Sequence, residues 1–126
     1  MSVRPTFTAG QVLTAAQQNI LATSIVAINA QTGTSYTAVA GDVGKLITLT
    51  NAAAIAFTVP PSVFAIGDQI NIMQGNSGSG VVTITAGVGV TLQSNGTKLK
   101  TNGQYAVATI VCIASNTFVV LGNLVA

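Results

Sequence analysis

The sequence predicts a mainly β protein: an antiparallel β-sandwich or small barrel of about seven to nine short strands, preceded by an N-terminal arm and one short helix. Two observations favour this class. From about residue 29 onward, apolar and polar residues alternate over short runs such as IAFTV at Ile55–Val59, the period of half-buried strands. Turn-forming residues interrupt these runs at intervals of about eight to twelve residues, as they do in sandwiches and barrels.

The first 28 residues are predicted to form the arm and the helix. Thr14 and Gln17 make a Thr-x-x-Gln capping box, which is typical of a helix start, and good helix formers follow. We expect the helix over about residues 15–23, short enough to require packing against another part of the assembly. The sequence therefore divides into an attachment segment, 1–28, and a β domain, 29–126, that forms oligomers and the exposed surface.

Within the β domain, alternation and turn residues place the individual strands. Pro60 ends one of them, the stretch Gly75–Gly80 predicts a flexible turn, and Asn95-Gly96 and Asn102-Gly103 are dipeptides typical of hairpins. Ser115-Asn116 predicts the last turn. The expected strands lie at about residues 45–50, 55–59, 70–73, 82–85, 90–93, 105–113 and 117–121.

Charge is unusually scarce in this chain. Charged residues make up 5% of the sequence, with four basic and two acidic side chains, against about 25% in ordinary soluble domains. A surface with so little charge gives weak repulsion between copies, which favours association. The composition therefore predicts an oligomer or a subunit of a larger shell; a neutral monomer coated with Thr and Asn is the alternative.

The last two predicted strands also favour association between copies, because they are apolar on both faces. A strand of that kind is normally buried on both sides, and in a small domain another copy of the chain is the simplest cover for the second side. We expect an interface at Tyr105, Val107, Ile110, Val111, Ile113, Phe118 and Val120.

The residue types needed for catalysis are scarce. The chain has no His and no Glu, so Asp42 and Asp68 are its only carboxylates; His, Glu and Asp are the commonest general acids and bases. Both aspartates follow glycine in turn contexts, which favours a role in capping turns through the backbone. Cys112, the only cysteine, is expected to be a small buried hydrophobe. The sequence predicts no enzyme, no catalytic residues, no cofactor and no metal site.

The sequence also gives no indication of a membrane span, a signal peptide or nucleic-acid binding. The longest apolar runs are far shorter than the roughly 20 residues of a membrane-spanning helix, and no signal peptide is recognisable, so synthesis in a cytoplasm is expected. Lys98 and Lys100 do not make the basic stripe that nucleic-acid binding requires.

The segment 6–19 reads TFTAGQVLTAAQQN. It resembles the lead-in that opens a short helix in many tailed-bacteriophage structural proteins. Other segments resemble a β module of tail-fibre, minor tail and head-decoration proteins, with an Asp-x-Gly-Lys turn and a strand ending in Val-Pro. They are 36–37, 42–48, 55–60, 66–70 and 88–92. The resemblance implies a virion structural protein, commonly trimeric and without catalysis.

The β module occupies nearly the whole sequence, without shaft repeats, and this favours a capsid decoration, cement or short head-fibre protein that stabilises the shell. The expected partners are then further copies of the chain, the major capsid protein and other virion proteins. A tail-fibre or minor tail protein that binds host-surface glycan is the alternative. Attachment to the virion is expected through apolar residues of the first segment, namely Phe7, Val12, Leu13, Ile20 and Leu21.

Overall fold

The computed structural model describes Ala15 and residues 27–126, and along the latter the chain runs back and forth between two β-sheets. Two short 3-10 turns, Ala40–Asp42 and Asn95–Thr97, interrupt the strands. The strands are β1 (Ile28–Gln31), β2 (Ser35–Thr37), β3 (Leu46–Leu49), β4 (Ile55–Val59), β5 (Gln69–Gln74), β6 (Val82–Ala86), β7 (Thr91–Ser94), β8 (Lys100–Thr101), β9 (Val107–Ala114), β10 (Thr117–Gly122) and β11 (Leu124–Val125).

Strands that are consecutive in the sequence lie mostly in different sheets. The six-stranded sheet has the order β1-β3-β5-β9-β10-β7, and the five-stranded sheet has the order β11-β8-β6-β4-β2. The runs β1-β3-β5 and β2-β4-β6 are each parallel. Each pair β1/β2, β3/β4 and β5/β6 therefore forms one coil of a β-solenoid, in which the three coils stack on one another.

The mainly β class is confirmed, but the predicted antiparallel sandwich or barrel is wrong. Five of the nine strand pairings are parallel. Parallel neighbours need a long crossover connection, and here the strand of the opposite sheet serves as that crossover. For the same reason Asn95-Gly96 and Asn102-Gly103 link strands of different sheets instead of closing hairpins, whereas Ser115-Asn116 does join the antiparallel pair β9 and β10.

A hairpin interrupts the regular stacking of the six-stranded sheet. β9 pairs antiparallel with β5, and β10 pairs antiparallel with β9. β7 would lie beside β5 in an unbroken solenoid, but it pairs with β10 instead. The hairpin therefore adds two strands to the broad face of this sheet.

The core lies between the two sheets and consists of side chains that repeat from coil to coil. Phe57 lies between Tyr36 and Ile84 in neighbouring coils, and its ring centroid is 6.1 Å from that of Tyr36. Full burial of one such aliphatic or aromatic side chain contributes about 1.5–3 kcal/mol. The members of the core are Ala38, Ile47, Leu49, Ile55, Phe57, Val59, Ile70, Ile72, Val82, Ile84, Ala108, Ile110, Cys112, Phe118 and Val120.

The first coil differs from the others because polar residues take inward positions. In the register of the six-stranded sheet, Asn29 pairs with Ile47, and Gln31 pairs with Leu49. The Gln31 amide donates to the Asn29 side-chain oxygen at 2.8 Å. The inward polar side chains of this coil therefore bond to each other and do not belong to the apolar core.

Glycine is required where the turns of neighbouring coils touch. A Cβ at Gly80 would lie 2.3 Å from the backbone oxygen of Asn51, and a Cβ at Gly75 would lie 2.1 Å from the Thr50 side-chain oxygen. The two ends of the predicted flexible turn Gly75–Gly80 are therefore packed closely against the preceding coil, while its middle residues are exposed.

Apart from Ala15, the predicted arm and the predicted helix over 15–23 lie outside the described residues. The same holds for the proposed attachment residues Phe7, Val12, Leu13, Ile20 and Leu21. The first strand of the described residues, β1, begins at Ile28.

Candidate functional site

The outward side of the six-stranded sheet, called here the apolar face, is the most distinctive surface of the described chain. Ile28 is 58% exposed, Leu121 51%, Ile113 46% and Val107 42%. No charged side chain lies among its members. The alternate residues that point outward are Ile28, Ala30, Leu46, Thr48, Gln69, Asn71, Met73, Val107, Thr109, Val111, Ile113, Thr117, Val119, Leu121, Thr91 and Gln93.

Strand register brings these apolar side chains into contact across the sheet. Val111 pairs with Val119 on one side and Gln69 on the other, and Met73 pairs with Val107. Cross-strand neighbours of this kind lie about 4.5–5.5 Å apart at Cβ. The face therefore carries apolar pairs (Ile28 with Leu46, Met73 with Val107, Val111 with Val119) that alternate with Thr, Asn and Gln side chains.

The polar groups near the centre of the apolar face bond to one another. Asn71 Oδ1 accepts from the Thr109 hydroxyl at 2.8 Å and from the Gln69 amide at 3.2 Å. These bonds occupy groups that would otherwise need water, which lowers the cost of covering the face.

The outward side of the five-stranded sheet has a different chemistry. It presents small polar residues, and the hydroxyls of Thr58 and Thr85 lie 3.0 Å apart on neighbouring strands. Lys100 is also exposed there, beside Thr83. The two faces thus differ in polarity: the five-stranded sheet exposes one large aliphatic side chain, Val125, whereas the six-stranded sheet exposes Ile28, Val107, Ile113 and Leu121.

The predicted interface residues fall into two groups in the structure. Val107, Val111 and Ile113 lie on the apolar face, and Tyr105 is exposed just before β9. The other three, Ile110, Phe118 and Val120, are buried in the core of the chain itself. Their prediction as interface residues is therefore wrong. The inward side of β9 is covered by the five-stranded sheet, because the two sheets pack face to face; it needs no second copy.

Asp42 occupies a fully buried site at the first coil. One carboxylate oxygen accepts from the Tyr36 hydroxyl at 2.7 Å and from the Val39 backbone N–H at 2.9 Å. The other accepts from the Asn29 amide at 2.9 Å. Burial, followed by the hydrogen bond to Asp42, raises the pKa of Tyr36 above its ordinary value of 10.0. These contacts join β1, β2 and the following turn.

Asp68 has the same backbone role in the next coil. Its carboxylate accepts from the N–H of Ala65 at 2.9 Å, three residues earlier, as Asp42 does from Val39. The prediction that both aspartates cap turns is confirmed. The Gly-Asp pair before β3 and before β5 is thus a repeated element of the solenoid, a period that the sequence analysis did not detect.

The other polar group in the core is also satisfied internally. The Thr101 hydroxyl donates to the side-chain oxygen of Gln74, whose amide donates to the backbone oxygen of Asn76 at 2.7 Å. Cys112 is buried, as predicted, with its Sγ 3.2 Å from the Ala114 backbone oxygen. Among the described residues, no buried side-chain nitrogen or oxygen is left without a partner.

An exposed tyrosine and an open depression lie at the same end of the six-stranded sheet. Tyr105 is 67% exposed and has a φ of 66°. The depression has a volume of about 210 Å³ and opens beside the end of β10. Its walls include Ser94, Asn95, Lys98, Leu121, Gly122 and Leu124.

Among Ala15 and residues 27–126, no three His, Cys, Asp or Glu side chains come together as a metal-binding group. Within that part of the chain, no helix has the length and apolar character needed to cross a bilayer.

Comparison of the chain with protein-family models, with curated proteins and with solved structures finds no match.

Proposed function

We propose that this chain is a non-enzymatic structural subunit that associates with further copies of itself through the apolar face, as part of a bacteriophage virion. The observation that carries the proposal is the exposure of Ile28, Val107, Ile113 and Leu121 on one uncharged sheet face. Large contiguous apolar patches on soluble proteins mark interaction sites.

Charge supports a second copy as the occupant of the apolar face. Two copies that meet there bring no like charges together, because none of the outward residues of this sheet is charged. The chain as a whole carries a net charge of only +2. Burial of apolar area therefore meets little electrostatic opposition, at a gain of about 25 cal/mol per Å² before the cost of association.

The virion role is supported by the resemblance of segments 6–19 and 42–60 to phage structural proteins. A solenoid with few charged side chains suits a homotrimeric capsid decoration, cement or short head-fibre protein. Such a protein stabilises a shell through many weak contacts that symmetry repeats. The major capsid protein is the proposed partner at the attachment segment.

Self-association is tested by placing one charge on each sheet face in turn. Val111→Asp introduces a carboxylate at the centre of the apolar face. Ala56→Asp is the matched control, because Ala56 points outward from an inner strand of the five-stranded sheet. Burying an unpaired charge costs several kcal/mol, so Val111→Asp should weaken association roughly a hundredfold or more. Light scattering that finds both variants equally associated would refute the assigned face.

The location is tested by imaging intact virions that carry labelled copies of the chain. The proposal expects label at three-fold or quasi-three-fold positions of the capsid. Label confined to the tail would instead support the second candidate.

That second candidate is a tail-fibre or minor tail protein that binds host-surface glycan. It is favoured by the uncharged loops that meet at one edge of the solenoid, where the Gln104 amide donates to the Gly75 backbone oxygen at 3.3 Å. Amide-rich loops offer donors and acceptors for sugar hydroxyls. Adsorption of labelled protein to host cells would support this candidate, and loss of adsorption in Gln104→Ala would locate the site.

A further inference from the structure

Tyr105 is the one aromatic side chain in the described residues that lies largely in solvent. Phe57 packs against Tyr36 in the core, and Phe64 meets the ring of Phe118 edge-on at 6.0 Å. Tyrosine combines a large apolar ring with a polar hydroxyl, the combination that is enriched at protein interfaces.

The backbone at Tyr105 adds a second anomaly. The Ala106 N–H donates to the Gly103 oxygen at 3.1 Å, so residues 103–106 form a turn with Tyr105 as its third residue. The φ of 66° at that position belongs to the left-handed region, which turns usually reserve for glycine or asparagine. A bulky residue in this conformation is strained, and such strain clusters at functional sites.

The depression near the end of β10 lies close to this turn. Gly122, in its wall, pairs with Ala108, and the Asn123 N–H donates to the Val107 oxygen at 3.0 Å. Leu121 belongs both to the depression and to the apolar face. The depression therefore borders the apolar face at Leu121, while Val120 and Leu124 in its wall belong to the core side of their strands.

We propose that Tyr105 of one copy inserts into this depression of a second copy and anchors the interface. This inference rests on the proposed self-association. The volume of about 210 Å³ is sufficient for a phenol ring, because a cavity of about 150 Å³ holds benzene. Leu121 and Leu124 offer apolar contact to the ring, while Asn95 and Lys98 offer donors to its hydroxyl. Tyrosine is among the residues that most often dominate interface energetics.

Replacing the tyrosine by glycine separates this role from a structural one. Tyr105→Gly removes the ring and supplies the residue that the turn conformation favours. We expect association in sedimentation experiments to weaken at least about tenfold. At dilutions where both proteins are dissociated, the denaturant midpoint of unfolding should stay the same or rise. Val88→Ala is the control, since Val88 is exposed in a different loop and should leave association unchanged.

A mixing experiment tests the pairing itself. Asn95→Trp fills the depression from its exposed rim, so neither this variant nor Tyr105→Gly should associate alone at concentrations where the native chain does. A mixture of the two variants retains one intact contact, because Asn95→Trp still carries Tyr105 and Tyr105→Gly still has an open depression. We expect at least a one-to-one complex in the mixture.

The possible failures are distinguishable. A mixture that shows no complex overturns the pairing. If Val111→Asp dissociates the native assembly and Tyr105→Gly does not, the anchor is refuted while the proposed function stands. If Asn95→Trp disturbs association and Tyr105→Gly does not, the depression has another occupant and the pairing with Tyr105 is refuted. A native chain that is monomeric refutes both proposals.

Discussion

Removal of the Asp42 carboxylate should destabilise the fold far more than removal of the equivalent group at Asp68. Both carboxylates accept a backbone N–H from three residues earlier. Only Asp42 is fully buried, and only there do the Tyr36 hydroxyl and the Asn29 amide donate to the carboxylate as well. Both Asp42→Ala and Asp68→Ala therefore lose a hydrogen bond from a backbone N–H. Only Asp42→Ala also loses the bonds from Tyr36 and Asn29.

The size of the difference follows from the number of donors left without a partner. Asp42→Ala leaves three buried or partly buried donors unsatisfied, and breaking such a network costs about 3–5 kcal/mol. Asp68→Ala removes one bond at a partly exposed site, where water replaces the carboxylate, at about 0.5–1 kcal/mol. For a chain of this length, about 3–5 °C of melting temperature corresponds to each kcal/mol.

The assay is thermal unfolding followed by circular dichroism, with both variants at the same protein concentration because association shifts the midpoint. We expect Asp42→Ala to melt roughly 10–25 °C below the native chain and Asp68→Ala only a few degrees below it. Asp42→Asn, which keeps the shape, should fall between them. Equal melting temperatures for the two alanine variants would refute the reasoning that the buried network closes the first coil.

Two further predictions concern the same region and the turns. Because the pKa of Tyr36 is raised above 10.0 by burial and by Asp42, its stabilising contribution is complete below about pH 10 and is lost as the pH rises through the folded value. Tyr36→Phe should therefore weaken the alkaline fall of the unfolding midpoint; an unchanged slope would contradict this. Gly80→Ala should destabilise more than Gly75→Ala, because the new Cβ meets the Asn51 backbone in the first case and the movable Thr50 side chain in the second. A reversed order of denaturant midpoints would show that the turns yield more easily than the contacts suggest.

Local structure was largely predictable from the sequence. Alternation located β3, β4, β5 and β6, and Pro60 marks the end of β4 as expected. β2, β8 and β11 were missed, because strands of two or three residues give too short a pattern. β1 was missed because its inward positions carry polar Asn29 and Gln31.

The arrangement of the strands was not predictable in the same way. A coil whose outward side faces solvent has the same alternation as an antiparallel strand, so the pattern does not distinguish parallel from antiparallel neighbours. The repeated Gly-Asp pair at Gly41-Asp42 and Gly67-Asp68 was the available signal. It marks equivalent turns that lead into β3 and β5.

For a related reason, three of the seven predicted interface residues lie in the core of the chain itself, and the rest of the interface stays a prediction. Apolar residues on both sides of β9 were read as two buried faces, but the inward side, including Ile110, packs against the chain's own second sheet. Outward residues such as Val107 and Ile113 remain exposed. Sequence alone does not tell which face a subunit covers by itself.

The mass of the native chain in solution tests the central claim most directly. Multi-angle light scattering over a dilution series reports whether the 12.6 kDa chain associates. Self-association through the apolar face predicts a stable multiple of that mass at micromolar concentration, expected to be a trimer, and its loss in Val111→Asp. A native chain that stays at 12.6 kDa throughout the series would contradict the account.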